Sequence, residues 1–241
     1  MHPAMYHYTD FHPRDTLLAR KQERGVRISC LIPTFNEART IAATVRIIRT
    51  RLMEECPLVD ELLVMDGGSD DDTRRCAQQE GATVCHAPDI FADKGYPGGK
   101  GVALWKGVAV SQGDCIACVD ADIANFHEGF VYGILGPLLI DENISFVKAF
   151  YRRPLHMGTT AREYDGGRVT EILVRPFLSA FFPQAAGIVQ PLSGEYAFTR
   201  TAIESLPFAS GYGVEIYMLL HMIARVGVSG CAQVNLDVRH H

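Results

Sequence analysis

Three polar clusters follow apolar stretches, at places where chemistry is possible. Ile116-Ala117-Cys118-Val119 reads as a buried strand and runs straight into Asp120-Ala121-Asp122. Two carboxylates at i and i+2 at the end of such a strand need partners or a metal. Carboxylate oxygens suit hard divalent cations, Mg2+ or Mn2+, of the kind that bridges nucleotide phosphates. The same pair also reads as carboxylates capping the next turn. Upstream, Pro33-Thr34-Phe35-Asn36-Glu37 ends the apolar run 27–35, and Asp66-Gly67-Gly68-Ser69-Asp70-Asp71-Asp72-Thr73 ends the run 61–66. Singly, these are a turn capped by Asn36 and a Ser69/Asp72 variant of the capping box. Together, at one edge of one parallel sheet, they mark the place where such sheets bind ligands.

Further along, Lys100 stands between glycines in Gly98-Gly99-Lys100-Gly101, where a helix begins. Backbone amides at a helix start plus a lysine favour anions, although the spacing is not that of a Walker loop. A flexible surface loop is the plain alternative. Gly166-Gly167-Arg168-Val169-Thr170 is a second glycine-led helix start, with an arginine suited to bidentate binding of carboxylate or phosphate. Glu195 and Glu215 lie amid glycine and apolar residues and need a sugar hydroxyl or an internal cation. Arg239-His240-His241 closes the chain. Its imidazoles are metal-ligand types, and a terminal His pair is also what a purification tag leaves.

Alternating strands and helices must position these groups. Strands are expected at 27–35, 61–66, 82–87, after Asp114, at 145–151 and at 231–238, with helices at 38–55, 71–81, 102–112, 166–183 and 213–227. The fold class is therefore α/β, a mostly parallel central sheet flanked by helices. Residues 1–26 read as an N-terminal arm and 27–241 as a single domain, with a nucleotide-binding half at 27–125 and an acceptor-binding half at 126–241. A net charge of −5 lacks the basic excess of nucleic-acid binders. No apolar run is long enough for a membrane span, and no signal-peptide pattern opens the chain. Seven scattered cysteines read as free thiols in a cytoplasmic protein, and Cys115 and Cys118 are expected on opposite faces of a strand.

These motifs, in this order, resemble the retaining glucosyl-3-phosphoglycerate and mannosyl-3-phosphoglycerate synthases of glycosyltransferase family 81. The resemblance runs from about Phe11 to His241 and is most specific at VKAFYRRP, GGRVTE and GYGVEI. It implies a GT-A fold, a nucleotide-sugar donor such as UDP-glucose, 3-phosphoglycerate as acceptor through its 2-hydroxyl, a divalent cation, and a cytoplasmic homodimer serving compatible-solute synthesis. By position, it implies Pro33, Thr34, Phe35 and Glu37 around uracil and ribose, and Gly67 where the family more often has serine. Lys100 falls beside the nucleotide, with Asp120 and Ala121 beside ribose and diphosphate. Asp122 and His241 are implied metal ligands. Gly167, Arg168 and Thr170 would hold the acceptor, and Glu215 would lie near the transferring sugar, so Asp122, Lys100 and Glu215 are the implied catalytic group. Members of that family usually continue past the His241 position with a segment that completes the acceptor site and supports dimerisation. The alternatives are a nucleotide-sugar transferase with another acceptor, a nucleotidyltransferase, for which PTFNEAR offers only Arg39 to bind a triphosphate, and a non-catalytic GT-A relative.

Overall fold

The computed structural model describes residues 2–157, 160–162 and 167–240. Its strands are β1 (Ala4–His7), β2 (Ile28–Thr34), β3 (Glu61–Asp66), β4 (Thr83–His86), β5 (Cys115–Cys118), β6 (Phe146–Arg152), β7 (Leu155–Met157), β8 (Thr160–Arg162), β9 (Tyr196–Thr199) and β10 (Cys231–Val238). Its α-helices are α1 (Arg14–Arg24), α2 (Ile41–Ile48), α3 (Thr73–Gln79), α4 (Lys100–Val110), α5 (Gly129–Ile140), α6 (Arg175–Phe181), α7 (Arg200–Ile203) and α8 (Val214–Val226). Strands β7 and β8 pair with each other, and the remaining eight form one sheet in the order β1-β10-β6-β9-β5-β2-β3-β4.

Strand β2 shows why the sheet lies in the interior. Every residue of ISCLIPT but Pro33 is buried, as a parallel strand covered on both faces requires. Alternation splits its side chains between two apolar layers. Cys30 and Ile32 join the layer built with α2 and α5, and Leu31 joins the layer built with α4 and α8. Cys115 and Cys118 divide between the same two layers, and the seven cysteines are all unpaired. The spacing of Ile41, Val45 and Ile48 buries one face of α2, and the helix expected over 38–55 continues beyond it in wider π-type turns at Arg49–Glu54.

Two elements carry no sequence signal. Eleven of the twelve residues of α5 are buried, so its apolar side chains go all round and leave no period to read. Strand β9 is four residues long and runs antiparallel between β5 and β6, against the parallel grain of the sheet. The N-terminal residues enter these same layers. Strand β1 extends the sheet beside β10, and α1 packs on α5. Gly136 and Gly133 make room for this segment: a Cβ at 136 would overlap the Phe11 ring, and one at 133 would lie 2.8 Å from Tyr8. Among the described residues, no helix is long and apolar enough to cross a membrane.

Candidate active site

From β2 the chain steps outward to β3 and β4, then returns to place β5 on the other side of β2. Loops leave such a switch point in opposite directions and open a crevice at the carboxyl ends of the strands. A cavity of about 460 Å³ lies there. Its walls include Pro33, Thr34, Phe35 and Glu37 after β2, Gly67 after β3, Lys100 on α4, and Asp120, Ala121 and Asp122 after β5. The Thr34 hydroxyl on this wall is buried without a hydrogen-bond partner, which a polar ligand would supply.

The first two loops are locked to each other rather than capped within themselves. Asn36, at φ 59°, accepts from the Asp70 amide through its side chain (3.0 Å), and its own amide donates to Ser69 Oγ (2.9 Å). The Glu37 amide donates to Thr73 Oγ1 (2.7 Å). Asp66, wholly buried, accepts from the Ser69 amide and shapes the turn. Thr40 and Asp72, which immediately precede α2 and α3, make no side-chain cap, and the α3 amide of Thr73 is capped by Asp71 (2.9 Å), so the capping alternatives for Asn36 and Ser69/Asp72 give way to this cross-linking.

Beneath the cavity lies a charged cluster. Lys100 Nζ bonds Asp120 Oδ1 and Glu215 Oε1, each at 2.7 Å. Burial alone would lower the Lys100 pKa, but these carboxylates outweigh it and hold the lysine cationic. Arg239, 1% exposed, places Nη2 at 2.5 Å from Asp122 Oδ1 and 3.2 Å from Asp120 Oδ2. Its Nε lies 3.2 Å from Glu195 Oε1, without the alignment of a hydrogen bond. Burial would raise the Asp120 pKa, and Lys100 and Arg239 reverse this to a net lowering. Lys148 is fully buried, donates to the Ser193 carbonyl (2.6 Å), lies over the Tyr196 ring, and is pushed by burial down to about 8. The bond ties down the Ser193-Gly194-Glu195 turn, where a Cβ at Gly194 would overlap the Asp120 carboxylate.

Among the described residues, five carboxylates (Glu37, Asp120, Asp122, Glu195, Glu215) thus meet three cations (Lys100, Lys148, Arg239). The imbalance registers at Glu37, whose pKa rises through burial and then through Asp122 and Asp120. A hard divalent cation would relieve it, and oxygen donors are the ligands such an ion prefers. Among the described residues no three His, Cys, Asp or Glu side chains form a ready-made cage. His241, the other expected metal ligand, lies outside the described residues. Next to it the chain is clipped to the loop after Asp122: the Ala124 amide donates to the His240 carbonyl (2.9 Å) and the His240 amide to Asn125 Oδ1 (2.8 Å).

The expected acceptor residues sit apart from this cavity. Gly167 and the buried Thr170 line a small polar notch with Arg153, Glu171, Gln190, Leu192 and Ser193. Arg168 is exposed and is not in its lining. Three features escaped sequence reasoning. Arg239 as the hub of the cluster was hidden in a terminal tripeptide. Lys148 sat unremarked in an apolar strand. Gly211 and Tyr212 join the large cavity because Gly99 and Gly101 let their loop approach: a Cβ at 99 would lie 2.7 Å from the Ser210 carbonyl, and one at 101 would overlap that of Ala209.

Comparison with known proteins adds to this geometry. The family model described as glycosyl transferase family 2 matches residues 29–187. The glucosyl-3-phosphoglycerate synthase of Petrotoga mobilis is 43% identical over 236 residues, 98% of this chain and 73% of that protein. The crystal structure of mannosyl-3-phosphoglycerate synthase from Rubrobacter xylanophilus matches with a TM-score of 0.90 at 38% identity, over 99% of this chain and 74% of that one. Glucosyl-3-phosphoglycerate synthase from Mycobacterium tuberculosis, in complex with Mn2+, UDP and glucosyl-3-phosphoglycerate, matches with a TM-score of 0.88 at 40% identity, over 99% of this chain and 79% of that one. The same enzyme has also been solved with Mg2+ and UDP.

Proposed function

We propose that this chain, which belongs to glycosyl transferase family 2 and to its glucosyl-3-phosphoglycerate synthases with their GT-A fold, transfers glucose from a nucleotide sugar to the 2-hydroxyl of 3-phosphoglycerate. The observation that carries the reading is the switch-point cavity lined by Glu37, Asp120, Asp122 and Lys100, with the Gly167–Thr170 notch as a second, separate polar site. The donor half is 27–125 and the acceptor half 126–241. Mannose is the second donor sugar, favoured by the match to the mannosyl enzyme.

Pro33, Thr34, Phe35 and Glu37 receive the nucleoside, with the orphan Thr34 hydroxyl as a hydrogen-bonding group. Asp120 and Ala121 flank the ribose and diphosphate, and Gly67 leaves that wall open. Asp122 and His241 would hold Mg2+ or Mn2+, which when bound neutralises the diphosphate as it leaves. Lys100 contributes a second positive charge to the lining of the same cavity. Asp120 and Glu215 keep it protonated and aimed, so it costs no reorganisation as charge develops.

The stereochemical outcome follows from how the carboxylates are engaged. A double displacement needs a free carboxylate as nucleophile. Glu215 and Asp120 are bound to Lys100, Asp122 is paired with Arg239, Glu195 is wholly buried beside Arg239, and Glu37 is assigned to the nucleoside. This supports departure and attack on the same face of the sugar, with retention. Gly167, Arg168 and Thr170 hold the acceptor, Arg168 from the rim. A cytoplasmic homodimer belongs to the same proposal. Free thiols support the reducing compartment, and exposed Val169, Ile172, Leu173 and Phe181 give the dimer an apolar face.

Thermal unfolding in the presence of ligands tests the class of function. UDP with Mn2+ raises the melting temperature of a transferase, whereas stabilisation by CTP or UTP alone points to a nucleotidyltransferase. No response to any nucleotide identifies a non-catalytic relative.

A further inference from the structure

Among the described residues, the arginine that lines the notch is Arg153 rather than the exposed Arg168. We propose that Arg153 binds the carboxylate of the acceptor, leaving Arg168 to its phosphate; this rests on the acceptor reading given above.

Four observations support the assignment. First, Arg153 is oriented before any ligand arrives. Its guanidinium lies over the Tyr151 ring, 5.2 Å from the centroid, and Nη2 donates to the Tyr151 hydroxyl at 3.1 Å. Second, its Nε is buried and has no hydrogen-bond partner. A buried donor left unsatisfied is costly, and a planar carboxylate is the natural complement to an arginine edge. Third, Gln190 and Ser193, two of the other polar side chains of the notch, are occupied. Gln190 Oε1 accepts from the Tyr151 amide (3.1 Å) and its Nε2 donates to the Tyr151 carbonyl (2.5 Å). Ser193 Oγ donates to the Ala149 carbonyl (2.6 Å). Glu171, the other charged group in the lining, lies 3.4 Å from Arg175.

Fourth, size and position select the carboxylate. The notch has a volume of about 30 Å³, room for about two waters, which suits a carboxylate better than a phosphate ester. The Tyr151 ring that carries Arg153 is also within 5.6 Å of the Arg239 guanidinium, which bonds Asp120 and Asp122. One ring therefore separates Arg153 from the donor site. In 3-phosphoglycerate the reacting 2-hydroxyl is on the carbon next to the carboxylate, so an anchor one ring away from the donor site is placed to hold that group.

The test is calorimetric titration of the full chain, loaded with UDP and Mn2+, with 3-phosphoglycerate and with glycerol 3-phosphate, which keeps the phosphate and lacks the carboxylate. R153Q is expected to weaken 3-phosphoglycerate binding roughly ten- to a hundredfold, with affinities for glycerol 3-phosphate and UDP unchanged. R153K should recover only part of the loss, because a point charge lacks the fork. R168A should weaken both three-carbon ligands. Unchanged binding of 3-phosphoglycerate to R153Q, or an equal loss for both ligands, overturns the assignment. Failure of the unmodified chain to bind 3-phosphoglycerate would instead overturn the acceptor reading on which it rests.

Discussion

Replacing Arg239 with Met should both destabilise the protein and disable the proposed donor site. The guanidinium is 1% exposed and faces Asp120, Asp122 and Glu195. Removing one partner from a buried charge pair costs about 3–5 kcal/mol, because the remaining charge stays buried without compensation. For a chain of this length each kcal/mol lowers the melting temperature by about 2–4 °C, so R239M should melt on the order of 10 °C below the parent at pH 7. The pH dependence has a definite sign. Asp120 has a depressed pKa in the folded state, so its pairing contributes stability above its unfolded pKa of about 3.9. That contribution is lost as pH falls through the lower folded value. The gap between parent and R239M is therefore widest near neutrality and narrows below about pH 4. Adding E195Q to R239M should recover part of the loss, since it removes one of the stranded charges. Thermal melts of the three proteins across this pH range decide the matter. An R239M protein that melts with the parent at pH 7 would refute the claim that Arg239 holds the cluster together.

Other consequences are open to simple measurement. D122A should abolish cation-dependent transfer while the far-UV spectrum and cooperative unfolding persist; normal Mn2+-dependent turnover would remove Asp122 from the metal site. G194A should force the Asp120 carboxylate aside, costing roughly 1–3 kcal/mol and weakening UDP binding in calorimetry, although the glycine need touch no ligand. Lys148 is held at about 8, below its unfolded value of about 10.4. Its burial penalty is fully present below pH 8 and is relieved as pH rises towards 10.4. The stability of the parent relative to K148M should therefore increase between those limits, and chemical denaturation at pH 7 and pH 10 reads the difference.

Much of the cavity wall could be read from the sequence because its residues lie in contiguous motifs at strand ends. PTFNE, DGG and DAD each follow an apolar run, and a parallel sheet brings such ends to one edge. The partners of those residues were harder to see. Glu215 and Lys100 are 115 positions apart and Arg239 and Asp120 are 119 apart, and no local pattern encodes such pairs. Helix α5 was missed because burial on all sides erases periodicity, and β9 because four residues are too few to alternate convincingly. Arg153 was as hard to see: it lines the notch with Gly167 and Thr170, and its neighbourhood depends on Tyr151 and on Gln190 from a distant loop.

The central claim is transfer of a hexose to 3-phosphoglycerate with retention. It is tested most directly by incubating the purified chain with UDP-glucose, 3-phosphoglycerate and Mn2+, and following UDP release and the anomeric proton of the product. The account predicts UDP release that requires both 3-phosphoglycerate and the cation, in step with an α-linked glucosyl-3-phosphoglycerate. Absence of 3-phosphoglycerate-dependent release from UDP-glucose, ADP-glucose, GDP-glucose and GDP-mannose alike, or a β-linked product, would contradict it.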